Sequence, residues 1–133
     1  IPDHLEGKSL KSSLETPGDV RLEEDVVVEW SGPNNGFGDR LGRISIPESM
    51  LELATREQIE KAVTDPVRTL ISPDGWKFNC SPLGEHELYN LNDDPLEMRN
   101  LAFEPAYYPL LKELSTRIRY WQEMTGDQVD LPF

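Results

Sequence analysis

Cysteine is nearly absent. Cys80 stands alone among 133 residues, so no disulfide can close within the chain. Histidine is scarce too: His4 and His86 lie far apart, and neither has Cys or Glu at zinc-ligand spacing. Basic residues number 13 against 25 acidic ones, for a formal net charge of -12. That imbalance repels phosphate backbones and anionic membranes, so neither nucleic acid nor a membrane surface is an expected partner. No apolar run approaches the ~20 residues of a membrane-spanning helix. The acid excess is spread along the chain and clusters only at Glu23-Glu24-Asp25, as a solvated surface would have it. A chain of 133 residues supports one domain with a modest core.

What is present reads as strands followed by a long helix. Residues 1–24 form an extended lead-in with two prolines, three serines and no sustained period. Asp25–Trp30 is β-branched and apolar, which suits a strand buried on both faces. Residues 31–43 are rich in Gly, Pro and Asn and form a loop. A helix is predicted within 47–64, with Thr55 and Gln58 as a capping box ahead of Ile59 and Val63. Ser72-Pro73-Asp74-Gly75 and Ser81-Pro82-Leu83-Gly84 both place Pro second and Gly fourth, as a type I turn favours. They bracket the alternating segment Trp76–Cys80, with Val67–Ile71 and Glu87–Leu91 on either side. The result is a three-strand antiparallel meander to which Asp25–Trp30 adds a fourth strand. Asp94-Pro95-Leu96-Glu97 has the form of a helix start, and Asn100 suits a left-handed residue at its end. The last helix spans roughly 105–125, stopped by Gly126. Its stripe Tyr107, Leu110, Leu111, Leu114, Ile118 and Trp121 must lie on the sheet, leaving Lys112, Glu113, Thr116, Arg119 and Glu123 to water.

The stretch Val67–Leu101 closely resembles the carboxy-terminal region of the type I sulfatases, of the alkaline-phosphatase superfamily. The resemblance rests on Arg68-Thr69, Gly75-Trp76-Lys77, Glu87-Leu88-Tyr89, Leu91, Asp94-Pro95, Glu97 and Asn100-Leu101. Near the start, Ile1-Pro2-Asp3, Gly7 and Ser9-Leu10 match the stretch where the family's catalytic domain gives way to its tail. The family's Cys/Ser-x-Pro-x-Arg nucleophile motif occurs nowhere in the chain. Cys80 is not its equivalent: Pro82 stands two positions later, but Gly84 takes the place of the arginine. What the resemblance implies is a parent enzyme in which a formylglycine hydrate attacks sulfur while calcium and basic side chains hold the sulfate. All of those residues lie upstream, so no catalytic residue, metal ligand or cofactor is expected in this chain. The expected partner is the sulfatase catalytic domain, and through it a sulfated small molecule or glycan.

Other constellations have ordinary explanations. Cys80 shares a strand face with Trp76 and Phe78 and reads as a buried, inert thiol. Asn79-Cys80-Ser81 fits a glycosylation sequon, but a proline follows it inside a strand. Asp93-Asp94 lacks the calcium-loop pattern, and capping accounts for Asp94. Both histidines read as exposed loop residues. The loop at 31–43 carries the one set of candidate binding residues: Asn34, Asn35, Arg40 and Arg43, whose amides and guanidiniums suit an anionic or sugar-like substrate. The competing reading is a connector whose arginines offset nearby carboxylates.

The expected fold is α+β: a small antiparallel sheet of about four strands packed by a carboxy-terminal helix. Residues 1–24 are expected to link from a catalytic domain and residues 25–133 to form the sulfatase-like subdomain. The tail of a phosphonate or phosphodiester hydrolase of the same superfamily is one alternative. An independent acidic interaction module is the other, and the Ile-Pro-Asp-His start argues against it.

Overall fold

The computed structural model describes residue 15, residues 24–30 and residues 46–133. Four strands lie in chain order as one antiparallel sheet: β1 (Val26–Glu29), β2 (Arg68–Ile71), β3 (Trp76–Cys80) and β4 (Glu87–Asn90). Register follows side-chain alternation. Leu70 faces Phe78, and Phe78 faces Leu88, so three apolar side chains share one row on the inner face. Both predicted turns form. The amides of Gly75 and Gly84 donate to the carbonyls of Ser72 and Ser81 at 3.0 and 3.1 Å, each glycine at φ +88°. Gly75 is doubly required, because a Cβ there would collide with the side chain of Asn92, which donates to the carbonyl of Asp74.

Three helices are described, α1 (Glu48–Leu51), α2 (Arg56–Thr64) and α3 (Tyr108–Thr125), and the last of them covers the inner face. A single 3-10 turn, Pro105–Tyr107, leads into α3, and Gly126 ends it in the left-handed conformation. Leu111, Leu114 and Ile118 are buried against Leu70, Phe78, Cys80 and Leu88. Leu110, Tyr107 and Trp76 close the edges of this core, with the Trp76 and Tyr107 rings 5.8 Å apart. All five α3 residues assigned to water are exposed. The fold is therefore the expected α+β sheet with a carboxy-terminal helical cover.

Several local expectations are corrected. β1 is not buried on both faces. It is the edge strand, Val27 alone turns toward α3, and Val26 and Val28 are exposed, Val28 by 50%. The helix expected within 47–64 forms as α2 behind the expected Thr55 capping box, and a separate single turn, α1, precedes it across residues 52–55. The reason is local: the carbonyl of Met50 closes the first turn, and Thr55 starts a second helix with both bonds of its capping box made. Asp94–Glu97 is a turn rather than a helix start. Glu97 sits at φ +56°, which breaks the helical sense, and its carboxylate pairs with Lys77 at 2.6 Å instead of returning to a cap. Asp94 instead collects the amides of Met98 and Arg99, which hold its carboxyl below the ordinary value. Asn100 is not left-handed. Its side chain accepts from the amides of Leu88 and Ala102 and donates to the carbonyl of His86, sealing the free edge of β4.

Candidate functional site

None of Asn34, Asn35, Arg40 and Arg43 lies among the described residues, nor do His4 and the lead-in apart from residues 15 and 24. A sizeable groove among the described residues lies elsewhere. It measures about 730 Å³ and lies between α1–α2 and the outer face of the sheet. Two cross-strand rows build that outer face: Val28, Thr69, Asn79, Glu87 and Val26, Ile71, Lys77, Tyr89. The first row is polar and internally bonded. The Thr69 hydroxyl donates to Asn79 Oδ1 at 2.7 Å, and Asn79 Nδ2 donates to Glu87. In the second row, burial and then the Glu87 and Glu97 carboxylates push the Tyr89 phenol above its ordinary value. Trp30 Nε1 donates to the carbonyl of Val63, tying the end of β1 to α2 above the groove.

At one end of the groove stands Asp65, the residue that ends α2. It is 4% exposed. Its Oδ2 accepts from the Ser81 hydroxyl, and Ser81 Oγ in turn accepts from the amide of Glu85. Its Oδ1 is buried with no hydrogen-bond partner among the described residues. Across the same turn, the amide of Ser81 donates to His86 Nδ1 at 3.2 Å. His86 is half-buried rather than an exposed loop residue. Its ring packs on Phe133 at 4.7 Å and faces Phe78 at 6.2 Å, and burial lowers its pKa. Cys80 is the inert thiol expected: fully buried, with burial pushing its pKa up to about 12.

The inner side holds a second polar centre. Arg68, 2% exposed, donates through Nε and Nη2 to the two oxygens of Asp127 at 2.9 and 2.6 Å. Its Nη1 donates to the carbonyls of Trp30, Pro66 and Val67. Gln122 Nε2 also donates to Asp127 and to the carbonyl of Val129, and the Arg68 bonds hold the Asp127 carboxyl below its ordinary value. Leu131 and Phe133 then pack on the core. This role for residues 127–133 has no sequence signal except one: an arginine at an inward position of an otherwise apolar strand must find an acid. Asp65 carries no signal at all, since its burial depends on how α2 docks. Among the described residues no three His, Cys, Asp or Glu side chains converge as metal ligands. No described helix is long and apolar enough to cross a membrane.

No family model matches the chain. One curated relative is 40% identical over 57 residues: an ulvan-active sulfatase of Formosa agariphila, with the match covering 43% of this chain and 9% of that protein. Two solved structures share the fold over 98% of this chain and 23% of their own length, both at 22% identity. They are a 2-O GAG sulfatase, with a TM-score of 0.63, and a Bacteroides thetaiotaomicron protein assigned to the sulfatases, with a TM-score of 0.64. The chain thus corresponds to a small part of the length of the proteins it matches. Its resemblance to the carboxy-terminal region of sulfatases is borne out in sequence and in fold.

Proposed function

We propose that residues 25–133 are the carboxy-terminal subdomain of a sulfuric ester hydrolase, with residues 1–24 leading in from its catalytic domain. The observation that carries this reading is the 40% identity over 57 residues to a sulfatase. The Glu87-Leu88-Tyr89 to Asn100-Leu101 motif supports it, because its residues have defined tasks: Leu88 in the core, Glu97 on Lys77, Asn100 along the β4 edge. The nucleophile, its formylglycine and the calcium belong to the upstream part of the parent. The subdomain completes the fold, and the exposed Val26 and Val28 offer apolar surface for the catalytic domain to cover. Ulvan and GAG appear in the relatives' names, so a sulfated glycan is the substrate class we assign to the parent.

The test has two parts. The purified chain should not turn over 4-nitrophenyl sulfate, whereas the parent polypeptide should. The reading falls if the isolated chain is active, or if the coding sequence upstream lacks Cys/Ser-x-Pro-x-Arg. The loop at 31–43 is assigned to the rim of the parent's substrate cleft, through Asn34, Asn35, Arg40 and Arg43. Removing both charges (Arg40→Gln with Arg43→Gln) should raise KM for a sulfated glycan about tenfold or more, the scale of one lost charge-assisted hydrogen bond. An unchanged KM would leave the segment a connector.

A further inference from the structure

The Asp65 carboxylate is a polar group without its complement. Ser81 occupies Oδ2, while Oδ1 is buried and accepts from nothing among the described residues, in a residue that lines the groove. A buried acceptor left empty is costly, and a buried carboxylate is ordinarily paired with a cation. The groove's other polar groups are already engaged. Glu87 accepts from Asn79, and Lys61, the one basic residue among the lining residues, reaches Glu85 at 3.5 Å with both side chains half or more exposed. The remaining wall is apolar: Met50, Ile59, Val63, Val67 and Leu83. A long aliphatic stem ending in a cation fits such a site. Lysine and arginine are built that way, burying their methylenes while the head reaches a charge. Three carboxylates against one lysine in the lining, within a chain of net charge -12, point the same way.

We infer that this groove is the seat of a segment bearing a lysine or arginine, and that Asp65 receives its charged head. The segment comes from the part of the parent sulfatase outside this chain. The inference rests on the reading above, and the solved sulfatases that share the fold carry about three quarters of their length outside it. The groove's volume of about 730 Å³ holds several side chains, so a peptide segment suits it better than one isolated residue.

The signature is a change of sign. In the isolated chain, Asp65→Asn removes an unpaired buried charge and keeps an acceptor for Ser81, so the melting temperature should stay level or rise. In the parent the same change strips the cation of its partner, and the melting temperature should fall by several degrees. Ala62→Trp, which obstructs the groove from the exposed side of α2, should lower the melt of the parent and spare the isolated chain. Should the isolated chain melt without cooperativity, hydrogen exchange decides. α2 should be more protected in the parent than in the isolated chain, and Asp65→Asn should abolish the difference. Equal effects of Asp65→Asn in both contexts would mean that water alone fills the position, and would overturn the inference. A destabilised isolated chain would mean that a donor within the chain holds Oδ1, and would overturn it too. These results are separable from failure of the functional reading, which is decided by the upstream nucleophile motif and by activity of the parent.

Discussion

Arg68→Ala should lower the unfolding free energy by about 3–5 kcal/mol, the scale of breaking a buried ion pair by removing one partner. A large share of a small domain's stability, about 5–15 kcal/mol, is at risk from that one change. The reason is the number of groups left without partners. Asp127 would lose a bidentate donor, and the carbonyls of Trp30, Pro66 and Val67 would lose Nη1. Arg68→Lys should recover only part of the loss, because an ammonium cannot reproduce the planar fork. The pair also sets a pH dependence. Asp127 is held below its ordinary value, first by its bonds to Arg68, so its contribution is complete above the unfolded carboxyl value of about 4. It is lost as pH falls through the lower, folded value. Chemical denaturation at neutral pH and in acid checks both claims. A wild-type midpoint for Arg68→Ala at neutral pH would show that the pair contributes nothing net.

Phe78→Ala should cost about 3–5 kcal/mol as well, by a different route. Phe78 is fully buried at the centre of β3, between Leu70 and Leu88 on the neighbouring strands. Its ring stands edge-on to Phe133 at 6.1 Å and also faces His86. Truncation removes the apolar contacts and leaves a cavity walled by two strands and by α3, which cannot collapse inward without breaking the ladder. Phe78→Leu keeps most of the volume and should cost less than half as much. In urea, the midpoint should fall with an unchanged slope. A changed slope would mean that the native state had loosened instead of losing one set of contacts.

Local chemistry made most of this architecture legible. The two Ser-Pro-x-Gly turns, the alternation in Trp76–Cys80 and the apolar stripe of α3 each specify one element and one face, and each is present as read. The misreadings come where a tertiary partner outweighs a local preference. Val26, Val27 and Val28 look like a central strand by composition, yet only β2 pairs with them among the described residues, so they form an edge. Asp94-Pro95-Leu96-Glu97 has the residues of a helix start, but Lys77 captures Glu97 and the chain turns. The groove has no local signal for the same reason: Asp65 and Leu83 are far apart in sequence and line one groove only when α2 docks. The candidate rim residues at 34, 35, 40 and 43 lie outside the described residues, so their reading rests on residue chemistry alone.

The spacing of the Arg68–Asp127 pair also sets a timetable. Fifty-nine positions separate the partners. At synthesis rates of about 5–20 residues per second, Arg68 leaves the ribosome roughly 3–12 seconds before its carboxylate does. Within that interval the meander is complete once Asn90 has emerged, and until α3 follows the row Leu70, Phe78, Leu88 has no helical cover. The order of synthesis therefore exposes the inner row of the sheet before its cover exists, and slower elongation between β4 and α3 would lengthen that exposure.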